Sequence, residues 1–249
     1  MQITDESHKT VVLNGLRKLK KVAYLQIEAN LTCITYMTLI MFGLLFMTRF
    51  RQRITDSELA FFSLVTMMIS IALPILFFAS VYRELLHSLS SFISWRPEEF
   101  SVVLRLLKME KSPSIVGILI VFIIGMVGIM LGDGTAIIFL SMGFATLVIY
   151  SLMCSTGIII YLLRLREVFN SMLFQIAGSL MIVPLCTLLV PGLFSLVAFA
   201  FGLYASVYSM FNVFISMLSF FALNLIVWII VFVEIESLEE KIDLGKVQV

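Results

Sequence analysis

Apolar side chains in this chain come in long unbroken runs. Between Glu167 and Glu234 there are 66 consecutive residues without Asp, Glu, Lys or Arg, and between Lys111 and Arg164 there are 52 interrupted only by Asp133. One bilayer crossing takes about 20 apolar residues, and a water-soluble fold cannot hide runs of this length. The pattern predicts an all-α, polytopic transmembrane helix bundle.

Along the chain, a polar stretch leads into residues 12–28, where Val12, Leu16, Leu19 and Ala23 share a helical face and Arg17, Lys18, Lys20 and Lys21 cover the rest. Residues 1–28 thus read as a polar N-terminus and a basic amphipathic helix suited to an anionic leaflet. Residues 29–48 supply span 1, a retained span because no small-residue cleavage site follows it. Arg49, Arg51 and Arg53 end it. A capping box at Thr55 and Glu58 opens span 2, residues 59–82, with a kink expected at Pro74. The stretch 83–113 is mixed in character. Within it, Pro97, Glu98 and Glu99 mark a helix start, with proline in the first turn and acids facing the helix dipole.

Phe100, Val103, Leu104 and Leu107 then recur on one face of that helix, residues 97–111, while Arg105 and Lys108 occupy others. Such an amphipathic helix either rests in the membrane interface or docks on a partner. Span 3 covers about 115–131, a tight turn follows at 132–135, and span 4 covers about 136–163. Arg164, Arg166 and Glu167 read as a short polar loop. The last uncharged run has room for three spans, or for two spans with a re-entrant hairpin between them. A polar tail, residues 235–249, closes the chain, so the bundle occupies residues 29–234.

Composition agrees with this reading, at 61% hydrophobic and 13% charged residues. Net charge is +1 and says little; its distribution says more. With the N-terminus cytoplasmic, twelve of the 17 Lys and Arg flank the spans on the inside: five before span 1, five between spans 2 and 3 and two after span 4. Lys241 and Lys246 then decide the balance. Six spans give 14 inside against 3 outside, and seven give 12 against 5. The positive-inside rule favours six spans plus a re-entrant element, with seven left open. Either way the expected location is the cell membrane, multi-pass.

Candidate chemistry is sparse. No ionisable side chain falls near the middle of a proposed span, which argues against ion- or proton-driven transport. The two histidines, His8 and His87, lie outside the apolar runs, and Cys33, Cys154 and Cys186 lie inside them as small packing residues. No metal, haem or other cofactor is implied. Phosphate-binding glycine-lysine loops and nucleophile elbows are missing as well, so a non-enzymatic role is expected. Basic residues confined to membrane flanks argue against nucleic acid as a partner. Gly117, Gly125, Gly128 and Gly132 form a stripe on span 3 that lets another helix approach closely, within one protomer or in a homo-oligomer. Asn170, Gln175, Asn212 and Asn224 are candidates to line a path or to bond neighbouring helices.

Two resemblances carry further expectations. The stretch 162–170, with Leu173 to Gly178, Ile182, Val183 and Pro184, and the opening Gly15 to Lys21, resemble parts of an uncharacterised archaeal family of multi-span proteins; that covers about a third of the chain. The layout is also similar to the membrane subunits of ABC-2 type exporters, whose corresponding elements here are residues 12–28, 97–111 and 191–208. That second resemblance implies a separate ATPase meeting the 97–111 helix and an amphiphilic or lipid-like substrate. Two functions follow as expectations: a permease-like subunit, or a structural or accessory subunit of a membrane complex without transport.

Overall fold

The computed structural model describes residues 3–49, 81–108, 154–187 and 207–244. Of these, 96% are helical, and no strand occurs among them. The glycine stripe, Asp133, most of spans 2 to 4 and the proposed re-entrant segment lie outside the described residues.

The first helix, α1 (Ile3–Arg49), has 47 residues. At 1.5 Å per residue it is about 70 Å long, more than twice the thickness of a bilayer's hydrocarbon core. The expected amphipathic helix and span 1 are thus one continuous element. Neither proline nor glycine occurs between Gly15 and Gly43, so nothing in the backbone chemistry breaks it. In its apolar half, the Thr32, Thr35 and Thr38 hydroxyls donate to carbonyl oxygens one turn back, of Glu28, Leu31 and Ile34. These bonds spare the hydroxyls from facing an apolar surround unpaired.

A second long helix, which we number α7 (Val207–Asp243, 37 residues), closes the chain. It also lacks proline and glycine, and it carries straight through the boundary expected at residue 234. Residues 235–243 of the predicted polar tail are therefore helical. Two helices are long and apolar enough to cross a membrane among the described residues, α1 over His8–Gly43 and α7 over Ile215–Asp243.

These two helices pack against each other antiparallel. Their buried positions explain why. On α7, Phe221, Asn224, Trp228, Val231, Ile235, Leu238 and Ile242 are buried, alternating steps of three and four residues. On α1, Val12, Leu16, Leu19, Ala23, Asn30, Cys33, Met37 and Ile40 follow the same rhythm. A stripe of that period is a coiled-coil seam. The register is set by a hydrogen bond from Asn224 Nδ2 to Asn30 Oδ1, 3.1 Å. Counting outward from it, Gln26 falls level with Trp228, Ala23 with Val231, Leu19 with Ile235 and Val12 with Ile242.

Between these helices in sequence lie two helical hairpins. Residues 81–95 form α2, and α3 (Pro97–Lys108) follows after Arg96. The region read as mixed therefore contains a helix before the one expected, with Val81, Leu85, Ser88, Leu89 and Phe92 turned inward. Tyr82 Oη donates to the Leu107 carbonyl over 2.5 Å and joins the open end of this hairpin.

Residues 154–169 form α4, α5 is Met172–Leu180, and residues 182–187 add a short α6. Arg164, Arg166 and Glu167 are the last turns of α4 and not a loop, with Arg164 and Glu167 paired one turn apart at 2.6 Å. The chain reverses only at Asn170, whose φ of 49° is left-handed and suits asparagine. Ser171 then caps α5, its Oγ accepting from the Phe174 amide.

Helices α1 to α5 and α7 build two cores. The larger sits at the charged end, where the first half of α1, α2 to α5 and the second half of α7 bury Leu16, Phe92, Phe100, Tyr161, Phe174 and Trp228 among others. The smaller joins Cys33, Met37, Ile40 and Phe221 farther along α1 and α7. Ile158, Tyr161 and Leu162, read as the end of span 4, belong to the larger core. The 28-residue run assigned to that span exceeds what one crossing needs, and its surplus builds a protein interior instead. Beyond the smaller core, Leu39 and Phe42 are 64% and 67% exposed.

Candidate functional site: the outer face of the charged end

The charged end is held from within by an aromatic group that fixes how α2, α3 and α4 sit. Phe92 lies 5.4 Å from Phe100, 6.1 Å from Tyr161 and 6.2 Å from Phe169, ring centre to ring centre. Tyr161 and Phe100 also meet edge to face at 5.9 Å. Tilted and edge-on pairs of this kind add to the area they bury. Ser88 adds a polar link beside them: its Oγ donates to the Gly15 carbonyl, 2.9 Å, and shares a second bond with Tyr161 Oη, 2.9 Å. α1, α2 and α4 are thereby joined at one level.

On that base the α3 stripe predicted from sequence is turned inward. Phe100, Val103 and Leu107 are fully buried, and Leu104 is half-buried. Leu107 stands so close to Gly157 of α4 that a Cβ there would fall 2.7 Å from its Cδ2. The helix therefore keeps its apolar stripe in the protein's own core and does not lay it into a membrane interface. The same holds for Val12, Leu16, Leu19 and Ala23 of α1, all at 0% exposure, against the expectation that they rest on a leaflet. In both cases the protein itself covers the apolar face: α2 and α4 cover that of α3, and α7 with α2 covers that of α1.

Facing outward from α3 are Glu98, Val102 and Arg105. Arg105 has no ion-pair partner among the described residues, and the Lys108 side chain lies outside them. At the tip of the α2–α3 hairpin, Arg96 pairs with Glu99 at 3.0 Å and lies over the Trp95 ring at 4.7 Å. Trp95 in turn stacks on Phe169 of α4 at 6.0 Å. This arrangement ties the N-terminal end of α3 to α2 and α4.

Three lysines of α1 find partners within the protein. Lys20 bridges to Glu236 at 3.0 Å and Glu239 at 3.3 Å, and lies over the Phe232 ring at 5.4 Å. Lys21 pairs with Glu84 at 2.6 Å, and this bond, above all, holds the Glu84 carboxyl below its ordinary range. Lys18 Nζ donates to Ser91 Oγ over 3.4 Å. Sequence reading placed these lysines against lipid headgroups. The partners of Lys20, Glu236 and Glu239, lie more than 200 residues away in a stretch that reads as a tail.

Of the four amides proposed to line a path, the three whose side chains are described are not brought together. Asn170 is the exposed turn between α4 and α5, Gln175 is half-buried on α5, and Asn224 is spent on its bond to Asn30, whose own amide donates to the Gln26 carbonyl at 2.6 Å. The side chain of Asn212, on α7, lies outside the described residues. Trp228, one turn beyond Asn224, is buried with its Nε1 unpartnered. Cys33 and Cys154 are buried, whereas Cys186 is exposed on the outer side of α6. No group of three His, Cys, Asp or Glu side chains gathers among the described residues. Comparison with protein-family models, curated proteins and solved structures finds no match to this chain, so its own geometry carries the functional reading.

Proposed function

We propose that the protein is a multi-pass membrane subunit that holds a separate protein against its charged helical end, through the outer face of α3. The observation that carries this is the division of α3: Phe100, Val103 and Leu107 are consumed by the protein's own core, leaving Glu98, Val102 and Arg105 on the outer surface. In the permease-like form of this reading the partner is an ATPase and the cargo is amphiphilic or lipid-like. In the accessory form it is another subunit of a membrane complex, and nothing is transported. Affinity purification of the full chain in mild detergent tests both. Arg105→Glu should release the partner without lowering the melting temperature, since a surface change costs little stability but a reversed charge repels a complementary face. ATP hydrolysis in the purified complex selects the permease-like form. Retention of every partner by Arg105→Glu sinks the proposal.

The membrane topology proposed with it has the charged end in the cytoplasm. Antiparallel packing of α1 and α7 supports an even number of crossings, because it brings the start of one and the end of the other to the same side. That arrangement groups Lys241 with the twelve inner cations and favours six spans over seven. A cysteine placed at Leu244, on a cysteine-free background, should then resist a membrane-impermeant thiol reagent in intact cells; ready labelling there would restore the seven-span count.

A further inference from the structure

The outward surface shared by α1 and α7 carries a charge pattern of its own. On α1 the stripe Arg17, Tyr24 and Leu31 is exposed; on α7 the parallel stripe is Ile229, Glu236 and Glu240. Lys20, bound to Glu236 and Glu239, marks the line between the two helices. On one side of that line Arg17 is exposed without an ion-pair partner, and on the other Glu240 is likewise exposed and unpaired among the described residues. In the register set by Asn30 and Asn224, Arg17 stands level with Ser237, between Glu236 and Glu240 in depth. At that depth the face is thus basic on its α1 half and acidic on its α7 half; farther along, Ile229, level with Leu25, and Leu31, six residues beyond it, are 44% and 49% exposed, with the exposed Glu28 between them in depth.

We infer that this face is the interface of a two-fold homodimer, its occupant a second copy of the chain. Copies inserted in one bilayer share an orientation, so a two-fold axis relating them must stand along the membrane normal and leave every residue at its own depth. Two identical faces opposed about such an axis set the left half of one against the right half of the other. The Arg17 of each copy then meets the Glu236–Glu240 edge of its mate, twice over by symmetry. A face of a single sign, or one whose two signs lay at different depths, would repel or miss its own copy. This inference is independent of the α3 surface, which lies on another helix.

The test uses the full chain in mild detergent and in lipid nanodiscs, with mass read by native mass spectrometry. The wild type should be dimeric, and Arg17→Glu should weaken the dimer by at least about tenfold, because like charges then face each other. Adding Glu240→Arg to the same chain should restore it, since the swapped pair is again complementary in the dimer. Should a charge variant fail to fold, a second measurement decides: two differently tagged, otherwise cysteine-free chains, one with Arg17→Cys and the other with Glu240→Cys, should join on oxidation in membranes. Arg105→Glu, which probes the α3 surface, should leave the dimer intact. A monomeric wild type, a dimer undiminished by Arg17→Glu, or no cross-link between the tagged chains would each overturn the inference.

Discussion

Gly15 is where two helix surfaces approach too closely for a side chain, and the cost of adding one can be worked out. A Cβ at this position would fall 3.0 Å from Cε2 and from Cζ of Phe92 and 3.3 Å from its Cδ2. Phe92 has no room to retreat, because it is fully buried among Phe100, Tyr161 and Phe169. In Gly15→Ala two effects of opposite sign compete. Replacing glycine inside a helix gains about 1 kcal/mol of backbone entropy, while forcing a methyl into a packed core costs roughly 1–3 kcal/mol. The ring's confinement places the cost toward the upper part of that range, so a net loss of about 1 kcal/mol is expected, a fall in melting temperature of roughly 2–4 °C. Thermal unfolding in detergent followed by tryptophan emission suits the measurement, since Trp95 stacks on Phe169 beside the site. Phe92→Leu, which shortens the obstructing ring, should couple with Gly15→Ala: the double variant should be more stable than the sum of the singles by about 0.5–3 kcal/mol. If Gly15→Ala stabilises the protein by the full helix-propensity gain, or if the two changes simply add, the close approach of α1 and α2 is wrong.

Three further outcomes follow from the same structure. Asn30→Leu alone should cost about 1–3 kcal/mol by stranding the Asn224 amide, whereas Asn30→Leu with Asn224→Leu should be close to neutral; equal melting temperatures for the single and the double variant would refute the shared bond. Ser88→Ala removes the hydroxyl that serves both Gly15 and Tyr161 and should cost more in thermal stability than Tyr161→Phe, which removes one bond, with the reverse order refuting the assigned network. The Lys21–Glu84 pair lowers the carboxyl's folded pKa, so its contribution is complete above the ordinary carboxylate range near about 4.3 and is lost as pH falls through the lowered value. With the Lys21 side chain 60% exposed, that contribution stays below about 1 kcal/mol. Lys21→Met should therefore melt slightly below the wild type at neutral pH and match it in strong acid; a gap that persists in acid would assign the difference to something else.

Helix content, the two long apolar elements and the inward stripe of α3 were all legible in the chain, because each depends on a local quantity. Run length against bilayer thickness identifies an apolar helix, and the spacing of Phe100, Val103 and Leu107 identifies a buried face whatever lies opposite it. Helix ends were less legible. α4 was expected to stop at Leu163 and the apolar part of α7 to give way to a tail at residue 235, since charge was taken to mark the edge of structure. Arg164, Glu167, Glu236 and Glu239 remain helical because ion pairs and a packed inner face sustain the helix after its apolar run has ended.

What no reading of the chain could supply is which surface each apolar face would meet. Val12, Leu16, Leu19 and Ala23 satisfy the pattern of a leaflet-bound helix and of a coiled-coil seam equally well, and periodicity cannot separate lipid from Val231, Ile235 or Leu238 as the thing buried against. The choice rests on contacts between residues more than 190 positions apart, among them the Asn30–Asn224 bond and the Lys20 bridge. Each requires two helices to adopt one register, and register is a property of the pair and not of either sequence alone. The composition of these helices follows from local chemistry, whereas the use of their basic residues as internal ion-pair partners depends on the fold having brought α1 and α7 together.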